Sequence, residues 1–352
     1  MIIAKSHPKV ETLKEHTDEL KKRFYELKKA YGHLLPNEKV WDLLYKAVLY
    51  HDVGKVNNDF QAKIHKRLKT EQSIPKSAFG YIPHNYLSPF FLPVDQWELT
   101  KNETRFLIQA IAFYHEREMQ PDVDLLEEVY ERELKQHFNK IEDEMDIELP
   151  AMNQMASKIS IYLKPERRIR EITDKEIYDL YVLVKGLLHR LDHAASAHVE
   201  IEIDSEFDLG ELTKTYITRA FGDRAMRPLQ NFTYNHQDKN LIIVAQTGMG
   251  KTEASLLWAG REKTFFTLPI RVSLNALYER VYHEMNYKNV GLLHSSSLSH
   301  LDENGTERWD IIHDQSRNFA SKLLFTTIDQ ILKFPFKYKG YEKMLATMAY
   351  SK

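Results

Sequence analysis

The sequence predicts an all-α domain followed by part of a parallel α/β domain, on three observations. Apolar residues recur at three- and four-residue spacing from about Val10 to Val199, the period of helices that bury one face. Past the polar stretch 200–208, short apolar runs alternate with helical segments, as buried parallel strands and their crossover helices do. A glycine-containing loop then joins one apolar run to a helix around residues 246–252. The expected division is a first domain at 1–205, a linker at 206–225 and a second domain at 226–352. With 352 residues, 43% of them hydrophobic, the chain can build two separate cores.

In the first domain the spacing predicts helices over residues 13–27, 40–51, 105–115 and 176–197. Proline-containing loops such as 73–93 separate them. The acidic stretch 121–150 reads as a solvated, helix-compatible face. In the second domain, residues 241–245, 264–268, 290–293 and 322–326 read as buried parallel strands with helices between them. There is no internal repeat or low-complexity tract.

Composition narrows the chemistry. The formal net charge is −2 with 28% charged residues, so the surface as a whole is no nucleic-acid magnet and any nucleic-acid track must be local. The chain has no cysteine, which excludes disulfides, thiolate metal sites and cysteine nucleophiles and fits a reducing cytoplasm. Metal chemistry must then use His, Asp and Glu. No run approaches the roughly 18 apolar residues of a membrane span, and the N-terminus lacks a long apolar segment. The expectation is a cytoplasmic monomer with no membrane association.

The apolar face Val40, Leu43, Leu44, Ala47, Val48 has His51 as its next member, followed by Asp52, Val53, Gly54 and Lys55. The helix thus points an imidazole inward with a carboxylate beside it, and Gly54 is expected to let the chain turn so that both reach one ion. His16 lies on the stripe Leu13, Leu20, Phe24, Leu27, and His115 completes Ile108, Ile111, Ala112. Asp192 borders the stripe Leu180, Val184, Leu187, Leu188, Leu191, Ala195 of the helix over 176–197. Singly, each inward histidine reads as a core residue. Together, buried without partners, they would cost on the order of several kcal/mol each, whereas a shared divalent ion satisfies them at once. Ligation by His and carboxylate suits Mn, Ni, Co, Fe or Zn, one or two ions, and hydrolysis of a phosphoester is the chemistry that follows. His51, Asp52 and Lys55 are the candidate catalytic residues. Lys55 reads equally as a phosphate contact and as an exposed lysine after a helix. His7, His33, His65, His189, His193 and His198 fall outside this set.

The run LIIVA enters Gln246-Thr247-Gly248-Met249-Gly250-Lys251-Thr252, and a helix follows. This is the setting of a phosphate-binding loop, with Ala245 in place of its first glycine. Gly248 and Gly250 allow backbone N–H groups to approach phosphate, Lys251 supplies charge, and the Thr252 hydroxyl can ligate magnesium.

The order His16, His51-Asp52-x-Gly-Lys, His84, His115, Asp192 resembles the HD superfamily of phosphohydrolases. With the phosphate loop behind it, the chain resembles the HD nuclease and superfamily two helicase effectors of type I CRISPR systems. The resemblance covers essentially the whole chain and implies an HD domain joined to the start of a RecA-like lobe. It assigns metal ligation to His16, His51, Asp52, His84, His115 and Asp192, and it alone places His84. One departure is Tyr114, where many members have a second histidine; a second metal site would then lack a ligand, take water in its place or fill only with substrate, and one ion or two stays open. Arg227-Pro-Leu-Gln230 resembles an adenine-sensing motif that adds Gln230 to Thr247, Gly248, Gly250, Lys251 and Thr252 as nucleotide contacts. Residues 269–275 and 325–330 resemble the family's DNA-contacting and TxDQ segments. Polar strand-end residues Arg271, Asn275, Ser295 and Thr327 are expected to meet DNA backbone. Lys55, Arg67, Tyr86 and Arg117 are candidates for a strand channel.

The resemblance implies a metal-dependent single-stranded DNA nuclease, Mg-ATP in the full-length motor, and an RNA-guided type I surveillance complex as partner. No Asp-Glu strand or second lobe follows Gln330, so this chain is expected to hydrolyse no ATP. Two alternatives stay open: an HD-type nucleotide phosphohydrolase, and a recruitment fragment that does not cut.

Overall fold

The computed structural model describes the chain apart from residues 8, 36, 71–73, 116–119, 204–207, 223–225 and 307. It divides into two units, Met1–His198 with Lys337–Thr347, and Val199–Phe336 with Met348–Lys352.

Unit 1 opens with a short antiparallel pair, β1 (Ile3–Lys5) and β2 (Glu11–Thr12), which departs from an all-α domain. β2 runs directly into α1 (Leu13–Tyr31). The helix starts there because Thr12 and Glu15 cap it reciprocally: Glu15 N–H donates to Thr12 Oγ1 at 3.1 Å and Thr12 N–H to Glu15 Oε2 at 2.8 Å. Then come α2 (Glu38–Tyr50), α3 (Asn58–Leu68), the single turn α4 (His84–Leu87) and α5 (Lys101–Phe113). The acidic region forms α6 (Val123–Arg132) and α7 (Phe138–Glu144), followed by the turn α8 (Ser157–Ser160). The long helix α9 (Lys175–Ala197) packs against α1, α2 and α5. Val184, Leu187, Leu188, Leu191 and Ala195 of α9 are fully buried, the larger of these side chains contributing roughly 1.5–3 kcal/mol each. Most of α17 (Tyr341–Met348) belongs to this unit. It lies so close to α9 that a Cβ on Gly186 would stand 2.1 Å from the Glu342 carbonyl oxygen.

Unit 2 holds a three-stranded parallel sheet in the order β3 (Thr264–Leu268), β5 (Leu323–Thr327), β4 (Val290–Leu293). Around it run α10 (Leu209–Phe221), α11 (Pro228–Tyr234), α12 (Lys251–Ala259), α13 (Arg271–Glu279), α14 (Ser297–Glu303), α15 (Trp309–Arg317) and α16 (Ile328–Ile331). The stretch expected as a linker holds α10, which packs on α12. Leu274, Tyr278, Leu292 and Phe325 centre the core.

One expected strand is not there. Residues 241–245 form no strand pairing, and Ile242 and Val244 are 99% and 97% exposed. An apolar run becomes a strand only where a neighbour accepts its ladder bonds. The edge of β3 is met at its start by the chain's last residue instead: Phe265 N–H donates to Lys352 O at 2.9 Å and Lys352 N–H to Lys263 O at 2.7 Å. No helix among the described residues is long and apolar enough to cross a membrane.

Candidate metal centre and nucleotide cleft

Three segments of unit 1 carry one polar cluster. Helix α2 ends at His51, whose N–H still donates to Ala47 O at 2.9 Å. Its Nδ1 stands 2.9 Å from Val48 O, and a carbonyl only accepts, so Nδ1 carries the proton and the Nε2 lone pair faces inward. That Nε2 is buried and makes no hydrogen bond. Asp52 follows at the helix end, and α1 and α9 bring in His16 and Asp192. One donor atom from each of His16, His51, Asp52 and Asp192 lies within 4.8 Å of the others, and all four residues are buried.

His16 Nε2 is 3.2 Å from Asp192 Oδ1 and 3.4 Å from Asp52 Oδ2. Burial alone would lower this imidazole's pKa, but the flanking Asp192 and Glu11 carboxylates raise it to about 9. A cation is therefore wanted among these oxygens, whether a proton or a metal ion. Burial pushes both carboxylates toward neutrality, yet Asp52 is held well below its usual range by Lys55, His51 and His84. Asp192 is held well below by its contact with His16. Burial lowers His51, and it pushes His84 down to about 4. His51 and His84 are thus neutral beside ionised carboxylates, as metal ligation requires, and an ion would take the place of the proton on His16. Two imidazoles and two carboxylates with an inward orphan lone pair fit a divalent transition ion.

The remaining candidates border this group. His84 Nε2 lies 3.1 Å from Asp52 Oδ1, and His115 Nε2 lies 3.8 Å from Asp192 Oδ2. Tyr114 OH donates to Asp52 Oδ1 at 3.2 Å. Lys55 Nζ is 2.5 Å from Asp52 Oδ2, so it is paired with a candidate ligand and is not a freely solvated lysine. Gly54 differs from expectation. Its φ is not positive; what it permits is contact, since a Cβ there would meet His84 O at 2.2 Å and Ser88 N at 2.7 Å. Gly54 N–H donates to Ser88 Oγ at 2.9 Å, and that hydroxyl donates to His84 O at 3.0 Å.

Sequence reasoning missed Glu11. It is buried in β2, with Oε2 standing 3.4 Å from His16 Nδ1, and His198 Nε2 lies 2.5 Å from its other oxygen. A carboxylate on the far nitrogen fixes a histidine's tautomer and ring orientation. The Thr12–Glu15 capping pair was the available signal, because it starts α1 at Leu13 and so sets Glu11 just ahead of the helix bearing His16. Among the proposed channel residues, Arg67 is exposed, Tyr86 is 2% exposed and so closed to a strand, and Arg117 lies outside the described residues.

In unit 2 a cleft of about 540 Å³ is lined by Gln230, Thr247, Gly248, Gly250, Lys251 and Thr252, together with Arg227, Phe221 and Arg280. Gly248 and Gly250 have φ of 80° and 78°, which a side chain would strain. Gln230 Oε1 accepts from Arg227 N–H at 2.9 Å, and Arg227 donates to Gly248 O. Lys251 Nζ folds onto Ala245 O at 2.9 Å and Gln246 O at 3.0 Å. At the strand ends, Arg271 donates to Ser295 Oγ at 3.0 Å, and Asn275 Oδ1 lies 2.7 Å from His294 Nε2; Thr327 closes β5 and is buried.

No protein-family model matches the chain. It is 27% identical to the CRISPR-associated nuclease/helicase Cas3 of Methanothermobacter thermautotrophicus, over 96% of this chain and 47% of that protein. A relative from Methanocaldococcus jannaschii with a Cas3 nuclease/helicase name is 25% identical over 80% of the chain and 45% of its own length. The chain thus spans about half the length of the curated relatives it matches. The crystal structure of T. fusca Cas3 with AMPPNP shares the fold, with a TM-score of 0.53 and 14% identity over 99% of this chain and 45% of that one. The chain is thus similar in sequence to Cas3 nuclease/helicases and shares with the Cas3 crystal structure the fold of a mainly α-helical HD domain followed by part of a RecA-like α/β domain.

Proposed function

We propose that unit 1 is a metal-dependent nuclease acting on single-stranded DNA, and that in a longer protein its cutting is coupled to ATP-driven helicase translocation in CRISPR antiviral defence. The observation that carries this reading is the buried group His16, His51, Asp52 and Asp192, with its donor atoms within 4.8 Å of one another.

His16, His51, Asp52 and Asp192 would hold an ion, with His84 and His115 placed to complete it or to hold a second. The chemistry such an ion would supply is Lewis acidity toward a phosphodiester and a lowered pKa for water, so that hydroxide is available as nucleophile near neutral pH. The chain's own groups do the rest. Val48 O and Glu11 keep the His51 and His16 lone pairs turned inward. Lys55 holds Asp52 ionised and offers positive charge to a substrate phosphate. In unit 2, Gln230 and the loop 246–252 would bind Mg-ATP in the full-length motor. The partner this implies is an RNA-guided surveillance complex, whose R-loop presents a displaced single strand.

The test is cleavage of circular single-stranded DNA with Mn or Ni, with EDTA, and by Asp52→Ala. Cutting that needs metal and is lost in the variant is the expected result. If metal-loaded protein leaves DNA intact but hydrolyses deoxynucleoside triphosphates, the site is a nucleotide phosphohydrolase and the nuclease reading fails.

A further inference from the structure

Near-neutral net charge conceals a strong internal asymmetry. Between Lys55 and Tyr81 there are six Lys and Arg residues against two acidic ones, whereas residues 121–148 hold eleven acidic residues against three Lys and Arg. The basic segment is α3 and the loop after it, and it begins at the candidate metal centre.

Phe60, Lys63 and Arg67 follow one another along one side of α3, spanning about 10 Å by the helix rise. The buried residues of α3 are Gln61, Ile64 and His65, so this side is turned away from the core. At its inner end the Phe60 ring meets His84 edge-on, with centroids 5.6 Å apart, and Lys55 Nζ lies 5.7 Å from the Phe60 centroid. Farther out, Lys63 Nζ stands 5.3 Å from the centroid of Tyr81, a residue 51% exposed. A solvated helix face accounts for lysines. It does not account for the exposed Tyr81 ring with a cation over it, in line with a half-buried Phe60 that reaches His84, which is the pairing that single strands use: rings for bases and cations for phosphates.

We propose that the side of α3 bearing Phe60, Lys63 and Arg67, with Tyr81 beside it, is the track that leads a DNA single strand to the His84 side of the metal centre. This deepens the nuclease reading above and rests on it. Bases stack on Tyr81 and Phe60, Arg67 and Lys63 meet successive phosphates, and Lys55 meets the phosphate that enters the cluster. The acidic α6 and α7 have the wrong sign for such a path.

The test is fluorescence anisotropy of a labelled oligothymidylate bound to the full chain in EDTA, where nothing is cut. Lys63→Glu with Arg67→Glu is expected to weaken binding about tenfold or more and to reduce the slope of log affinity against log salt by about 1.4. Tyr81→Ala is expected to weaken it about fivefold or more through lost stacking. Lys22→Glu with Lys29→Glu on α1 is the matched charge control, and an unchanged Mn titration shows that each variant is folded. If the α3 variants bind like wild type, or lose no more than the α1 control, the track is overturned and the nuclease reading stands. If the wild type binds no single strand and hydrolyses nucleotides instead, the nuclease reading fails and takes the track with it.

Discussion

The carbonyl oxygen of His84 fills the space that a side chain on Gly54 would need, 2.2 Å from where its Cβ would be. The missing methyl group is thus what lets α4 close on the end of α2 and bring one candidate ligand to another. Gly54→Ala must push α4 outward and is expected to cost about 1–3 kcal/mol as overpacking, read by urea unfolding. It should weaken Mn binding as well. A variant with wild-type stability would mean that α4 is not held by this contact.

Glu11 turns a core histidine into an oriented one. Glu11→Ala is expected to weaken ion binding about 10–100-fold, the usual effect of losing an outer carboxylate, with Glu11→Gln recovering part of the loss because its carbonyl oxygen would still face His16 Nδ1. Calorimetric titration with Mn checks this. Equal affinities across the three proteins would leave Glu11 a purely structural residue.

Tyr114 donates to the same Asp52 oxygen that faces His84. Tyr114→His replaces that donor by a lone pair, so the variant should retain more Mn per chain than the wild type after desalting, measured by elemental mass spectrometry. Unchanged stoichiometry would sink the idea that Tyr114 limits the site.

Unit 2 has its own acid sensitivity. Burial, with Arg271 and His300 nearby, pushes His294 down to about 4 from its ordinary 6.5. The unfolded chain therefore takes up a proton below about pH 6.5 that the folded chain refuses until about pH 4. The stability tied to this group is complete above 6.5 and is lost as pH falls toward 4. The neutral form also fits the contacts, since Ser296 N–H donates to His294 Nδ1 at 3.3 Å. His294→Gln should flatten the acid limb of the melting curve, and parallel curves for the two proteins would acquit the imidazole.

What could be read from sequence depended on how local its cause was. Helices α1, α2, α5 and α9 announce themselves because each buries one stripe, and a stripe is written in consecutive residues. The ligand-type side chains stand out because imidazoles and carboxylates are costly on an apolar face. Glu11 could not be found that way, since its position comes from pairing between β1 and β2. The contact role of Gly54 depends on α4, some thirty residues on along the chain. The run 241–245 has the composition of a buried strand, but a strand also requires a neighbour's hydrogen bonds, and composition does not supply them.

That unpaired run has a practical side. Ile242 and Val244 stand almost fully in water, next to backbone that joins no ladder. Segments of this kind find one another between molecules, stacking edge to edge. These residues are therefore expected to promote association at high concentration, and Ile242→Lys or Val244→Lys should reduce it.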